Sequence, residues 1–230
     1  AHNAIRRDAM DFLYLLAFVQ RSAQNLRGED MIDFFRWVHE FGDFVNNYFG
    51  FEQDVLFPWL TSHGVPFHQD KVLNEKTRHN VHRRHRRMMR KLWELEDRLE
   101  KDVPIPVSIE IVKKSEKYIS SLVNYCAHEE ETISSITEGR CGDEEKEDLE
   151  TRLFQYILRL QQPVAFFTLL IRPFEDEDNI QQFTKSFMRR VNPLLRSSFR
   201  VRMARERKKF QTNHIEVAKM YFEKWSSLKV

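Results

Sequence analysis

Four long segments in the first 138 residues carry apolar side chains that alternate three and four positions apart. Such spacing gathers the apolar residues into one stripe on an α-helix, and that stripe must be buried against neighbouring helices. The intervening loops, at about Leu26–Asp30, Thr61–Gln69 and Asp102–Pro106, are short enough to join antiparallel neighbours. The sequence therefore predicts an all-α fold whose first four helices form an up-down-up-down four-helix bundle.

Residues that break helices are scarce in this chain. It contains 6 Gly and 7 Pro among 230 residues, too few for a turn-rich β-sandwich or a disordered Gly/Pro tract. The clearest internal boundary is Gly139–Asp143, where two glycines precede an acidic run that is typical of a helix start. Beyond it, further helical segments are interrupted at Pro163, Pro173 and Pro193. We predict a bundle over residues 1–138 and a helical extension over 144–230 that packs on it.

Each of the four apolar stripes also includes polar side chains that are able to bind a ligand. These side chains occur near the start of the first helix, the end of the second, the first half of the third and the end of the fourth. In an up-down-up-down bundle those places lie towards the same end of the core. The predicted cluster consists of His2, Tyr48, Glu52, His85, Tyr125 and Glu129.

Two carboxylates in a bundle core need compensation, because an unpartnered buried charge costs several kcal/mol or shifts its pKa strongly. A bound cation is one way to compensate Glu52 and Glu129. Tyr48 and Tyr125 each precede a Glu by four residues, which puts both members of a pair on one helical face. Oxygen and imidazole ligands suit iron, manganese or zinc, and a phenolate favours ferric iron. The alternative is that these groups satisfy one another by hydrogen bonds and no metal binds.

Four stretches resemble the signatures of one known family. The opening His2–Asp8 is similar to the first-helix signature of the hemerythrin-like, HHE cation-binding family, and Glu52–Pro58 resembles its second-helix motif of a ligand Glu followed by Val-Leu-Phe-Pro. His85, with apolar residues three and seven positions later, resembles the third-helix ligand, and His128–Glu131 resembles the fourth-helix acidic motif. The resemblance extends over about Ala1–Ile136. Residues 163–209 also resemble the helical extension of some prokaryotic members.

The resemblance implies a four-helix bundle around a non-haem, oxo- or hydroxo-bridged di-iron centre. Family members use such centres to bind dioxygen reversibly, to sense iron or oxygen, or to respond to nitric oxide and peroxide. Carried over to this chain, Glu52 and Glu129 would bridge the metals, and His2 and His85 would be terminal ligands. We therefore predict a metal-binding protein for oxygen, iron or redox sensing or storage, and not an enzyme.

The chain departs from the family at two positions, because Tyr48 and Tyr125 stand where members usually carry histidine. A di-iron pair would lose two neutral ligands by this change. His82 and His128 flank the core stripes and are available as replacements, or the tyrosines ligate ferric iron as phenolates. The third alternative is a metal-free helical bundle that kept the fold and serves as an interaction module.

The remaining features narrow the class of partner. With 37 basic and 35 acidic residues the net charge is +2, which favours neither nucleic acid nor a membrane as partner. Two cysteines and no long apolar run indicate a cytoplasmic protein.

A basic run over residues 196–209 predicts an amphipathic helix docked on the bundle. This helix would be able to bind a protein partner; nucleic acid and acidic lipid are the alternative partners. Neither a nucleophile elbow nor a phosphate-binding Gly-rich loop is present.

Overall fold

The computed structural model describes residues 1–22, 28–99, 109–174 and 176–208. These residues form helices and turns with no β-strand, so the predicted all-α class is confirmed for them. Residues 26–27 of the predicted first loop, the whole predicted third loop at 102–106, and residues 209–230 of the predicted extension lie outside this description, whereas residues 28–30 of the first loop are helical. The helices are α1 (His2–Ser22), α2 (Gly28–Phe51), α3 (Phe57–Ser62), α4 (Glu75–Leu99), α5 (Ile109–Thr137), α6 (Asp143–Arg159), α7 (Pro163–Ile171) and α8 (Glu177–Arg190), and residues 196–208 are also helical.

Four long helices pack around the predicted core. Helix α1 contacts α2 and α5, and α4 also contacts α2 and α5. The predicted stripe of α1 is buried at Ile5, Ala9 and Phe12, and α2 contributes Phe41 and Val45 to the same core. The three-and-four spacing therefore identified the buried face of these helices correctly.

A π-helical turn, Glu52–Leu56, joins α2 to α3 in one continuous rod. Its hydrogen bond runs from the backbone N–H of Phe57 to the carbonyl of Glu52, five residues earlier. Pro58 follows and cannot donate a backbone hydrogen bond, which favours a local change of helical pattern here. The additional residue rotates the chain, so that Leu56 is buried where the regular stripe would bury Val55. π-Helical turns are frequent at functional sites, and Glu52 is the first residue of this one.

The end of α5 matches the predicted boundary. Gly139 adopts a φ of 71°, a left-handed conformation that favours glycine and terminates helices. Helix α6 then opens with Asp143 and two glutamates in its first turn, where negative charge interacts favourably with the helix dipole.

The second part of the chain has its own aromatic core and also contacts the first four helices. Phe187 packs on Phe154, Phe167 and Phe199, which belong to α6, α7 and the helical segment 196–208. Contact with the first part occurs at several places, including an ion pair between Arg172 and Asp8 of α1. No helix in the described part of the chain combines the length and hydropathy needed to cross a membrane.

The approach of α6 to α2 is close enough to predict a steric effect. A Cβ atom on Gly50 would lie 2.3 Å from the hydroxyl oxygen of Tyr156, which donates a 2.9 Å hydrogen bond to the carbonyl of Asn47. We expect Gly50→Ala to lower the free energy of unfolding by about 1–3 kcal/mol, despite the better helix propensity of alanine. Denaturant unfolding of Gly50→Ala, Tyr156→Phe and the double variant measures this, because loss of the hydroxyl relieves the clash. Strictly additive effects would contradict the predicted contact.

Candidate metal centre

Five of the six predicted site residues meet between the helices, and they fall into two similar groups. In the first group, His2 Nε2 lies 2.6 Å from the Tyr48 hydroxyl oxygen and 3.2 Å from Glu129 Oε2. The Tyr48 hydroxyl donates a 3.0 Å hydrogen bond to Glu129 Oε1. Since that proton is committed to Glu129, His2 is the donor to Tyr48 and carries its own proton on Nε2. This group draws one residue each from α1, α2 and α5.

The second group repeats this arrangement with a different histidine. Tyr125 donates a 2.9 Å hydrogen bond to Glu52 Oε2, and His82 Nε2 lies 3.4 Å from the same oxygen. The imidazole of His82 stacks on Phe49 with ring centroids 4.0 Å apart. Burial, helped by the charges of Arg78 and Arg86, lowers the pKa of His82 to about 4. His82 is therefore neutral near pH 7, with a ring nitrogen available as a ligand.

His85, predicted as a ligand, lies outside this cluster. Its Nε2 is 3.2 Å from the carbonyl of Gly42, which can only accept, so Nε2 carries the proton. Its Nδ1 therefore accepts from the Tyr118 hydroxyl at 2.5 Å, and both ring nitrogens are engaged. Burial lowers the pKa of His85 to about 4, so the ring is neutral. Gly42 precedes Tyr48 by six residues, about 9 Å along α2, which puts His85 at a different level of the core.

His128 and the buried Cys126 have other surroundings. His128, named above as a replacement ligand, directs Nε2 at both carboxylate oxygens of Asp70, at 3.0 and 3.1 Å. Asp70 also accepts from the backbone N–H groups of Val72 and Leu73, so this pair ties α5 to the segment before α4. Cys126 is fully buried next to Tyr125, and burial raises the pKa of its thiol, which suits a small core residue.

The two carboxyl groups lack a permanent positive partner. Glu52 and Glu129 are both fully buried, and within the described residues neither pairs with a lysine or arginine. Glu52 Oε1 has no hydrogen-bond donor in reach. Burial first, and then the negative charge of Glu129, raise the pKa of Glu52 well above its ordinary value. The site thus needs either a proton or another cation between these groups.

The tyrosines decide whether the donor set is large enough for a metal. Counting only His, Cys, Asp and Glu, no group of three that could hold a metal occurs in the described ranges. Each half of the cluster nevertheless offers three donors when its phenol is included: His2, Tyr48 and Glu129 in one, and His82, Tyr125 and Glu52 in the other. Burial raises the pKa of both phenols, so they ionise only if a strong cation displaces the proton. This donor set, with its unpartnered carboxylate oxygen, fits ferric iron.

The sequence indicated His82 only as a replacement ligand, because the heptad pattern assigned His85 to the core stripe. The two are three residues apart and both face the neighbouring helices, so the stripe cannot choose between them. The π-helical turn at Glu52 was also not predicted.

No protein-family model matches the chain, and comparison with curated proteins and with solved structures gives no significant match. The hemerythrin-like resemblance therefore stays a prediction from the motifs.

Proposed function

We propose that this chain is a hemerythrin-like iron-binding protein in which α1, α2, α4 and α5 form an up-down-up-down bundle. Contacts between the start of α1, the end of α2, the first part of α4 and the later part of α5 support this topology, since antiparallel neighbours bring those places together. The observation that carries the iron proposal is the fully buried pair Glu52 and Glu129, with one carboxylate oxygen unpartnered.

Two irons would divide the donors equally between them. His2 and Tyr48 would hold one, His82 and Tyr125 the other, and Glu52 and Glu129 would bridge or serve one each. The two carboxylates and two phenolates would supply the negative charge, and the two imidazoles would complete the set. An iron pair of this type supplies a centre whose oxidation state and occupancy respond to oxygen and iron.

Access to the site favours sensing or storage over catalysis. The side chains of His2 and His82 are 17% and 15% exposed, whereas both carboxylates are fully buried. Three surface cavities of 540, 530 and 600 Å³ are lined by other residues. A site whose carboxylates are fully buried suits a species of the size of dioxygen or a metal ion better than a larger substrate.

One observation favours a second candidate, a metal-free interaction module. Tyr48 and Tyr125 each donate to a carboxylate, and a proton on Glu52 removes the charge of that buried group without a metal. These hydrogen bonds satisfy both phenols and, with that of His2, three of the four carboxylate oxygens, and they help to fix the packing of the helices. In that case the helical segment 196–208 is the surface that meets a protein partner.

Reconstitution with iron separates the two candidates. The protein is purified without a metal-affinity tag, loaded anaerobically with ferrous iron, exposed to air, and assayed for bound metal and visible absorption. We expect about two irons per chain and a phenolate-to-iron charge-transfer band. Tyr48→Phe and Tyr125→Phe should each weaken that band, whereas Tyr118→Phe, a matched buried tyrosine, should keep it. A colourless protein without retained iron would favour the metal-free module.

A further inference from the structure

A second candidate site lies between α8 and the helical segment 196–208, in a groove of 540 Å³ that shares no residue with the metal centre. Its floor is apolar and comes from three helices: Ile171 ends α7, Ile180 and Met188 face inward from α8, and Met203 covers the opposite wall. A groove of this volume lies within the range of small-molecule sites, which are mostly apolar with a few placed polar groups.

Positive side chains line both walls above this floor. Lys185 and Arg189 stand one turn apart on α8, and Arg200 faces them from the helical segment 196–208. The side chains of these three residues make no hydrogen bond or ion pair within the described part of the chain. Three like charges around one groove repel one another, so a bound anion would relieve that repulsion.

Polar contacts join the residues that line the groove at both of its ends. At one end, Arg207 lies 3.4 Å from Glu177, the one acidic residue of the lining. At the other end, Arg196 donates to the backbone carbonyls of Arg189 and Val191. Between these ends the lining on α8 extends over 12 residues, about 18 Å. The charged rim and the apolar floor are therefore both preformed along this length.

We propose that this groove binds a fatty acid, with its carboxylate at Lys185, Arg189 and Arg200 and its alkyl chain along the apolar floor. An arginine binds a carboxylate by two parallel hydrogen bonds, and the alkyl chain removes apolar surface of the half-buried Met203 from water as it lies over the buried Met188. Charge complementarity and the narrow apolar floor favour a single-chain carboxylate over a larger anion such as nucleic acid, which would need a broad cationic surface. The proposal goes beyond iron binding and does not depend on it.

Calorimetric titration of the full chain with laurate tests the proposal, with lauryl alcohol as a ligand of equal tail length and no charge. We expect one laurate per chain, and at least tenfold weaker binding of the alcohol, since a hydrogen bond to a charged group is worth about tenfold or more. The triple variant Lys185→Gln, Arg189→Gln, Arg200→Gln should weaken laurate binding by at least tenfold. The triple variant Arg202→Gln, Arg205→Gln, Lys117→Gln removes equal charge at exposed positions and should leave binding unchanged.

Methyl NMR locates the ligand, because the chain has only 7 methionines and two of them line the groove. Laurate should shift the signals of Met188 and Met203 and leave those of Met88 and Met89 in the bundle core unchanged. Equal binding of the alcohol, equal weakening in both triple variants, or unshifted Met188 and Met203 would each overturn the proposal. Binding to phosphatidylglycerol vesicles or to duplex DNA without binding of free laurate would also overturn it, in favour of a membrane or a nucleic-acid surface.

Discussion

Glu52→Gln is expected to weaken iron binding at least 100-fold and, at the same time, to stabilise the metal-free protein. The affinity falls because glutamine cannot supply the negative charge that holds the metal; even outer-shell changes cost about 10- to 100-fold. Stability rises because the fold no longer has to keep a buried acid protonated beside Glu129, a gain of about 1–3 kcal/mol at pH 8.

The gain in stability depends on pH in a definite direction. The pKa of Glu52 is raised in the folded protein above its ordinary value of 4.5, so the folded state holds its proton more tightly than the unfolded chain does. The free energy of unfolding is therefore highest below pH 4.5 and declines as the pH rises above it. Glutamine removes this decline, so Glu52→Gln and the parent should differ little at pH 4.5 and most at pH 8.

Urea unfolding of the metal-free proteins and iron titration of each provide the two measurements. Glu131→Gln is the matched control, because Glu131 lies on α5 two residues from Glu129 but is exposed. It should change neither quantity. A Glu52→Gln protein that binds iron like the parent would remove the carboxylate pair from the metal site, and one that loses stability at pH 8 would show that Glu52 is needed as a structural acceptor.

Helical periodicity predicts the fold class and much of the candidate site, because both depend on which face of each helix is buried. Tyr48, Glu52, Tyr125 and Glu129 stand four residues apart in pairs on core stripes, and the structure brings all four together. His2 of α1 lies beside Tyr48 and Glu129, as the antiparallel order of the proposed bundle requires. None of these steps needs information from beyond the individual helix and its neighbours.

Periodicity does not predict how far each helix is shifted along its axis relative to its neighbours. His82 and His85 differ by three residues, about 4.5 Å along α4, and only the sliding of α4 against α2 and α5 decides which one reaches Glu52. That register is set by tertiary contacts such as the His85 bonds to Gly42 and Tyr118. Periodicity also does not predict how the two parts of the chain pack together, since polar pairs without any period, such as Asp8 and Arg172, contribute beside apolar contacts such as that of Phe44 with Phe166.

The pair formed by Asp8 and Arg172 joins α1 to the residue that follows α7, and its loss should destabilise the protein strongly. Asp8 is 2% exposed, and Arg172 donates both to Asp8 and to Asp11. Burial raises the pKa of Asp8 to about 7, although the charge of Arg172 acts to lower it. Arg172→Leu leaves Asp8 buried without its partner, so we expect a loss of about 3–5 kcal/mol at pH 8.

The size of this loss should grow with pH, which distinguishes a charge effect from simple loss of packing. Below pH 3.8 Asp8 is protonated in both the folded and the unfolded protein, and above that pH the unfolded chain releases its proton first. Removing Arg172 raises the pKa of Asp8 further, so the variant continues to lose stability at pH values where the parent no longer does. Denaturant unfolding at pH 5 and pH 8 measures the difference, with Arg202→Leu as the exposed control. Asp8→Asn combined with Arg172→Leu should restore most of the stability at pH 8; an equal loss at both pH values would mean that Arg172 acts through packing and does not change the pKa of Asp8.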